Sequence, residues 1–168
     1  GLAAVTVGDQ ALFAGGTSGP GSPHAQVDVY EPVGLNYCVA TANSTGCAAS
    51  IYATGSKSIA SNDLVLSSSC MPNGVFLFFH ATNQVQVPFG DGFLCAGGSA
   101  VRILPPGFAT GGLAEVSVDL PSVGITAPGL RNFQCWFRDP AAGGSGFSTS
   151  DALAITFLVF GFFMFPLE

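Results

Sequence analysis

The chain has 168 residues, 48% of them hydrophobic and only 8% charged, with a formal net charge of −6. The length fits one ordinary domain plus an appendage, and the apolar fraction is ample for a core. The basic side chains are Lys57, Arg102, Arg131 and Arg138 alone. So few and scattered, they exclude a phosphate-binding surface for nucleic acid and argue against anionic lipid head groups.

Residues 1–35 read as short strands. Ala4–Val7 runs into a turn at Gly8-Asp9. Ala11–Gly16 follows, then a Gly/Ser/Pro-rich loop, then Gln26–Glu31. A strand ending in Gly-Gly, a variable loop and a strand ending in Tyr plus an acidic residue together resemble one kelch repeat. The tryptophan such a repeat carries further on is missing. One blade cannot bury its own faces, so either earlier blades precede it or these strands dock on the following domain. The absence of a starting Met and of a signal h-region suits a mature form or a fragment.

From Asn36 onward, strand candidates recur at short intervals: Ala48–Ala53, Asp63–Ser68, Gly74–His80, Gln84–Val87, Ala100–Leu104, Leu113–Leu120, Arg131–Phe137 and Ala152–Phe157. Turn residues separate them, including Pro72-Asn73-Gly74, Pro105-Pro106-Gly107 and Pro128-Gly129. Many short strands with such punctuation predict an all-β antiparallel sandwich, jelly-roll or immunoglobulin-like, with little or no helix. Val75–Phe79 is apolar on both faces, which suits a central strand covered on each side. Glu115–Leu120 alternates, with its apolar residues on one face.

Ile155–Phe165 is almost wholly apolar. It is too short for a membrane span of about 20 residues and lacks a basic flank. Ala152–Phe157 is expected to be the last strand, and 158–168 is an apolar tail with no assigned role. That tail and an unpaired cysteine favour self-association.

Five cysteines, Cys38, Cys47, Cys70, Cys95 and Cys135, show no zinc-ligand spacing. One or two disulfides in an oxidising compartment is the better reading, with the odd thiol a buried filler.

Asn36-Tyr37-Cys38, Asn43–Gly46, Asn83–Cys95, Phe133–Pro140 and Phe147–Leu153 in this order resemble the C-terminal β-domain of large exported bacterial proteins, where it often follows kelch or other propeller repeats. The resemblance covers residues 36–157 and implies an accessory or surface module without established activity. It also suggests pairing Cys38 with Cys95. Cys47 with Cys70 would then form a second bridge, and Cys38 with Cys47 is the local alternative.

Chemistry has few footholds. His24 and His80 are the only histidines and no Gly-x-Ser-x-Gly elbow occurs, so a hydrolase pairing of His80 with Asp91 is weak. Glu115 and Asp119 on one strand stand roughly 13 Å apart by strand rise, too far for a glycosidase pair. Calcium finds oxygen ligands in Asp139, Asp151, Ser148, Ser150 and the 141–146 loop, against the plainer reading of Arg138 paired with Asp139 or Asp151 and Asp139 as a turn cap before Pro140. Asn43-Ser44-Thr45 fits the N-glycosylation pattern and more simply a turn.

In Phe133–Arg138, Phe133, Cys135 and Phe137 share one face, and Gln134, Trp136 and Arg138 the other. If the first set is core, Trp136 with Gln134 and Arg138 forms a platform for a sugar ring. The opposite register buries the indole.

The functional expectation is a non-catalytic extracellular structural, adhesion or accessory module, with no cofactor unless calcium. Its partners are other domains of the parent chain and an extracellular glycan. A carbohydrate-binding module is the first alternative, and a hydrolase fragment with its active site elsewhere the second.

Overall fold

The computed structural model describes residues 2–7, 10–15, 27–30 and 32–159. The expected turn at 8–9, the loop of 16–26 with His24, and the tail beyond 159 lie outside the described residues. The chain divides into two units, Gly1–Pro32 and Val33–Glu168. The larger unit therefore starts at Val33 rather than Asn36.

The first unit contains an antiparallel sheet in the order β1 (Leu2–Val7), β2 (Gln10–Gly15) and β3 (Val27–Tyr30). The ladders run from Leu2↔Gly15 to Val7↔Gln10 and from Ala11↔Tyr30 to Ala14↔Val27.

The second unit is an antiparallel β-sandwich with an added layer. Its strands are β4 (Leu35–Tyr37), β5 (Ser50–Thr54), β6 (Val65–Ser69), β7 (Gly74–Ala81), β8 (Asn83–Phe89), β9 (Gly92–Gly97), β10 (Val101–Arg102), β11 (Gly107–Ala109), β12 (Leu113–Ser117), β13 (Gly129–Arg138) and β14 (Phe147–Phe157). The large sheet has the order β10-β7-β13-β14-β4, with β11 also on β7; the small sheet is β12-β6-β5. One 3-10 turn, Pro140–Ala142, is the helical element among the described residues of this unit.

The core lies between these two sheets. Ile51, Leu66 and Ala114 face Phe76, Phe78, Phe133, Phe137, Leu153, Ile155 and Phe157 across it. Each of the Ile, Leu and Phe side chains contributes about 1.5–3 kcal/mol by leaving water. The alternation of β12 holds: Ala114 is buried, Val116 partly so, and Glu115 and Ser117 are exposed. The strand ends at Ser117, so Asp119 stands beyond it.

The third layer follows from β7. Phe76 and Phe78 enter the main core, which leaves Phe79 and Ala81 on the outer face. Hydrophobic groups on both faces require cover on both. The β8–β9 hairpin, a two-stranded sheet of its own, supplies it: Ala96 and Leu94 pack with Phe79, Ala81 and Trp136.

Two disulfides close the unit, Cys38–Cys95 and Cys47–Cys70. Cys135 is free and buried, and burial pushes its thiol well above the usual range. Two disulfides fit an oxidising compartment. Among the described residues no helix is long and apolar enough to cross a membrane.

Candidate functional site

β13 fixes the orientation of the tryptophan. Phe133, Cys135 and Phe137 belong to the main core, so Gln134, Trp136 and Arg138 point to the opposite face. Trp136 is half-buried. It forms one wall of a groove of about 840 Å³ whose other walls are Leu77 and Phe79 from β7, Phe89 and Leu94 from the hairpin, and Ala100, Arg102 and Leu104 at the sheet edge. Every wall but Arg102 is apolar. Leu104 is 67% exposed and Phe89 38%, so the groove opens to solvent.

An aromatic run anchors one side of the groove. The Phe147 ring lies 5.2 Å from that of Phe89 and 5.9 Å from that of Trp136. The turn after β8 must pass close to this stack. Gly90 has φ +63°, and a Cβ there would collide with the Phe147 ring and its carbonyl. Only glycine meets both conditions.

Gln134 is not a ligand contact. It is fully buried, and its amide bolts the hairpin to the large sheet. Its Oε1 accepts from Cys95 N–H at 2.9 Å and Ala96 N–H at 3.3 Å. Its Nε2 donates to the carbonyls of Phe93 and Ser150, each at 2.8 Å. The same interface holds further polar ties. Thr149 Oγ1 donates to Phe93 O, Tyr37 O–H to Cys95 O and Gln84 Nε2 to Asn132 Oδ1. Burial pushes the Tyr37 phenol up to about 12. The sugar platform expected from Trp136, Gln134 and Arg138 therefore loses Gln134. Arg138 is exposed on that face but does not line the groove, whereas Arg102 does.

The two calcium candidates are not brought together. Asp151 lies at a β-bulge opposite Cys135, about 13 Å along β13 from Asp139 by strand rise. Its Oδ1 accepts from Ile51 N–H at 2.7 Å, and its Oδ2 from Asn36 and Ser50. Burial raises its pKa, and these three hydrogen bonds pull against that. Asp139 sits at the other end of β13 and accepts from Ser44 N–H at 2.8 Å. Ser148 and Ser150 are buried, the latter bonding Cys135 N–H and Asp151 O. Asn43 is buried, with its amide donating to Cys70 O and its Oδ1 holding Thr45; it is a turn residue.

His80 and Asp91 are also separated. His80 pairs with Phe133 on β13, whereas Asp91 contacts Phe147, which pairs with Arg138. That is roughly 17 Å along the strand. The His80 ring packs 5.6 Å from that of Phe133, with Nε2 2.9 Å from Val123 O and Nδ1 buried without a partner. Burial lowers its pKa, the Val123 hydrogen bond opposes this, and Arg131 lowers it further.

A depressed histidine pKa stabilises the fold above the unfolded value of about 6.5, and that stability falls as pH drops below it. Asp151 acts with the opposite sign, since a raised carboxyl pKa weakens the fold once pH climbs through it. Urea midpoints from pH 8 to pH 5 should show wild type losing stability relative to His80→Leu, by up to about 1.4 kcal/mol per pH unit below 6.5. Parallel profiles for the two proteins would contradict the assignment.

Comparison of the chain with protein-family profiles, with curated proteins and with solved structures finds no match. The site's chemistry is therefore read from its own residues. Sequence reading missed Arg102, Leu77, Phe79, Phe89 and Leu94 as groove walls. The signal was present in Val75–Phe79: an outer apolar face on a central strand has to be covered, and a short hairpin covers it only in part.

Proposed function

We propose that this chain is a non-catalytic extracellular module, an adhesion or accessory domain of a larger exported protein, that engages its target through the Trp136 groove. The observation that carries the reading is the groove itself, an open apolar concavity ending on a half-buried indole and one guanidinium. Apolar concavities with a few placed polar groups are the usual form of a binding site. The polar groups that hydrolysis would need are engaged elsewhere. His80 is buried against Val123, and Asp91, Asp139 and Asp151 each accept from backbone amides. The two disulfides support an oxidising, extracellular setting. Attachment behind a kelch-type repeat rests on the sequence resemblance.

A carbohydrate ligand is the second reading, favoured by the half-exposed indole beside Arg102. The C–H face of a sugar ring can stack on the indole while the guanidinium donates to hydroxyls.

Affinity electrophoresis through gels carrying neutral and acidic polysaccharides tests both readings. Retardation in at least one gel, lost in Trp136→Ala, is the expected result. Unchanged mobility in every gel would overturn the carbohydrate reading. Depolymerisation of any of the polysaccharides by the protein would overturn the non-catalytic one.

A further inference from the structure

Two aspartates 48 residues apart in sequence meet the same loop, residues 140–146. Asp139 begins it, its N–H donating to Gly146 O at 2.9 Å. Asp91, in the turn between β8 and β9, donates its N–H to Phe147 O at 3.0 Å. The Asp91 carboxylate also lies directly on the loop. Its Oδ1 accepts from Ser145 N–H at 2.8 Å, and a Cβ on Gly144, where φ is +58°, would collide with it. The segment 41–44 ties the two together: Thr41 Oγ1 donates to Asp91 O, and Ser44 N–H to Asp139 Oδ2.

Each carboxylate thus has one oxygen on a backbone amide. The other is buried and has no partner: Oδ2 of Asp91 and Oδ1 of Asp139. Asp139 is only 1% exposed. A buried carboxylate oxygen without a donor is costly, and native proteins rarely leave one. It is also an acceptor-only atom, which suits a cation.

We propose that Asp139 and Asp91, with oxygens of the loop they hold, form a site for a hard divalent cation of the calcium type. Carboxylate and carbonyl oxygens are hard donors and do not suit softer metals. Among the described residues no group of three or more His, Cys, Asp and Glu side chains could hold a metal ion, so backbone oxygens would have to complete the site. Calcium accepts mixed carboxylate, carbonyl and hydroxyl oxygens in irregular arrangements. Within the loop, the carbonyls of Pro140, Gly143 and Gly146 already accept backbone amides. Those of Ala141, Ala142, Gly144 and Ser145 would supply the remainder. The cation would offset two negative charges and brace the hairpin against the sheet beside the groove. This inference does not depend on what the groove binds.

The experiment is thermal unfolding of the disulfide-intact, EDTA-stripped protein against calcium chloride, at ionic strength matched with sodium chloride, and calorimetric titration with calcium alone. The expected result is one equivalent bound and a saturable rise in Tm of roughly 5–10 °C at a hundredfold excess over Kd. Asp91→Asn and Asp139→Asn should each lose the response, and Asp151→Asn, whose carboxylate is fully engaged elsewhere, should keep it. No calcium-dependent shift in the wild-type protein would overturn the proposal. So would a shift that persists in Asp91→Asn, a variant at a half-buried position in the turn between β8 and β9 that decides the matter if Asp139→Asn does not fold.

Discussion

Gln134→Leu is expected to lower stability by about 3–5 kcal/mol and Tm by 10 °C or more in order of magnitude. The leucine fills similar space, so the loss comes from hydrogen bonds rather than volume. Cys95 N–H, Ala96 N–H and the Ser150 carbonyl lose this partner, and the Phe93 carbonyl is left with the Thr149 hydroxyl. Each unpaired buried group costs about 1–3 kcal/mol, reduced where local relaxation admits water. Urea unfolding followed by Trp136 fluorescence and by far-UV circular dichroism would measure it. The hairpin is the part most exposed to this loss, because little apolar surface backs it up. Phe79, Ala81 and Ala96 are the buried members of its hydrophobic contact. Fluorescence should therefore report loosening at lower urea than circular dichroism does. Coincident transitions at the wild-type midpoint would show that Gln134 does not hold the hairpin.

Removing the Cys38–Cys95 bridge is the second large effect. The bond closes 57 residues of sequence separation and joins β9 to the segment after β4. Loop-closure entropy alone puts its contribution at about 4 kcal/mol, against about 3 kcal/mol for Cys47–Cys70 with its separation of 23. Cys38→Ala/Cys95→Ala should accordingly lower the urea midpoint more than Cys47→Ala/Cys70→Ala does. The first pair should also loosen the groove, since Cys95 N–H and O both bind side chains of the large sheet, Gln134 and Tyr37. An unchanged midpoint in the first double variant would contradict this account. Equal effects of the two variants on the Trp136 environment would separate the bridge from the groove.

The sandwich was legible in the sequence because its strands are short, apolar on one face and bounded by Gly, Pro and Asn. The face of Trp136 was not legible, since alternation in Phe133–Arg138 allows either set to be the buried one; the packing of Phe133, Cys135 and Phe137 in the main core decides it. Three strands were not foreseen. β4 and β11 have three residues each, too few for a period to show. β9 begins and ends with glycine and has no polar alternation, so no strand was expected over Gly92–Gly97. The start of β14 was hidden because Phe147–Ser150 is rich in hydroxyls. Those hydroxyls are buried, as in Thr149, which donates to Phe93 O.

The site was less legible than the fold. Gln134 looks like a surface residue in a strand pattern, and only the hairpin above it makes it a buried connector. Asp151 offers a carboxylate in the sequence, yet the neighbouring β5 and Asn36 use both its oxygens. Asp91 is 48 residues from Asp139, and no local pattern shows that both reach one loop. Contacts of that separation depend on how the hairpin folds back, which strand periodicity does not encode.

The central claim is that the hairpin half-covers the outer face of the large sheet and leaves Trp136 as a groove wall. Because the chain has a single tryptophan, acrylamide quenching of its fluorescence tests this most directly. A half-buried indole should emit blue-shifted from the urea-unfolded protein, with a quenching constant well below the unfolded value but clearly above zero. Quenching equal to that of the unfolded chain, or no quenching at all, would contradict it.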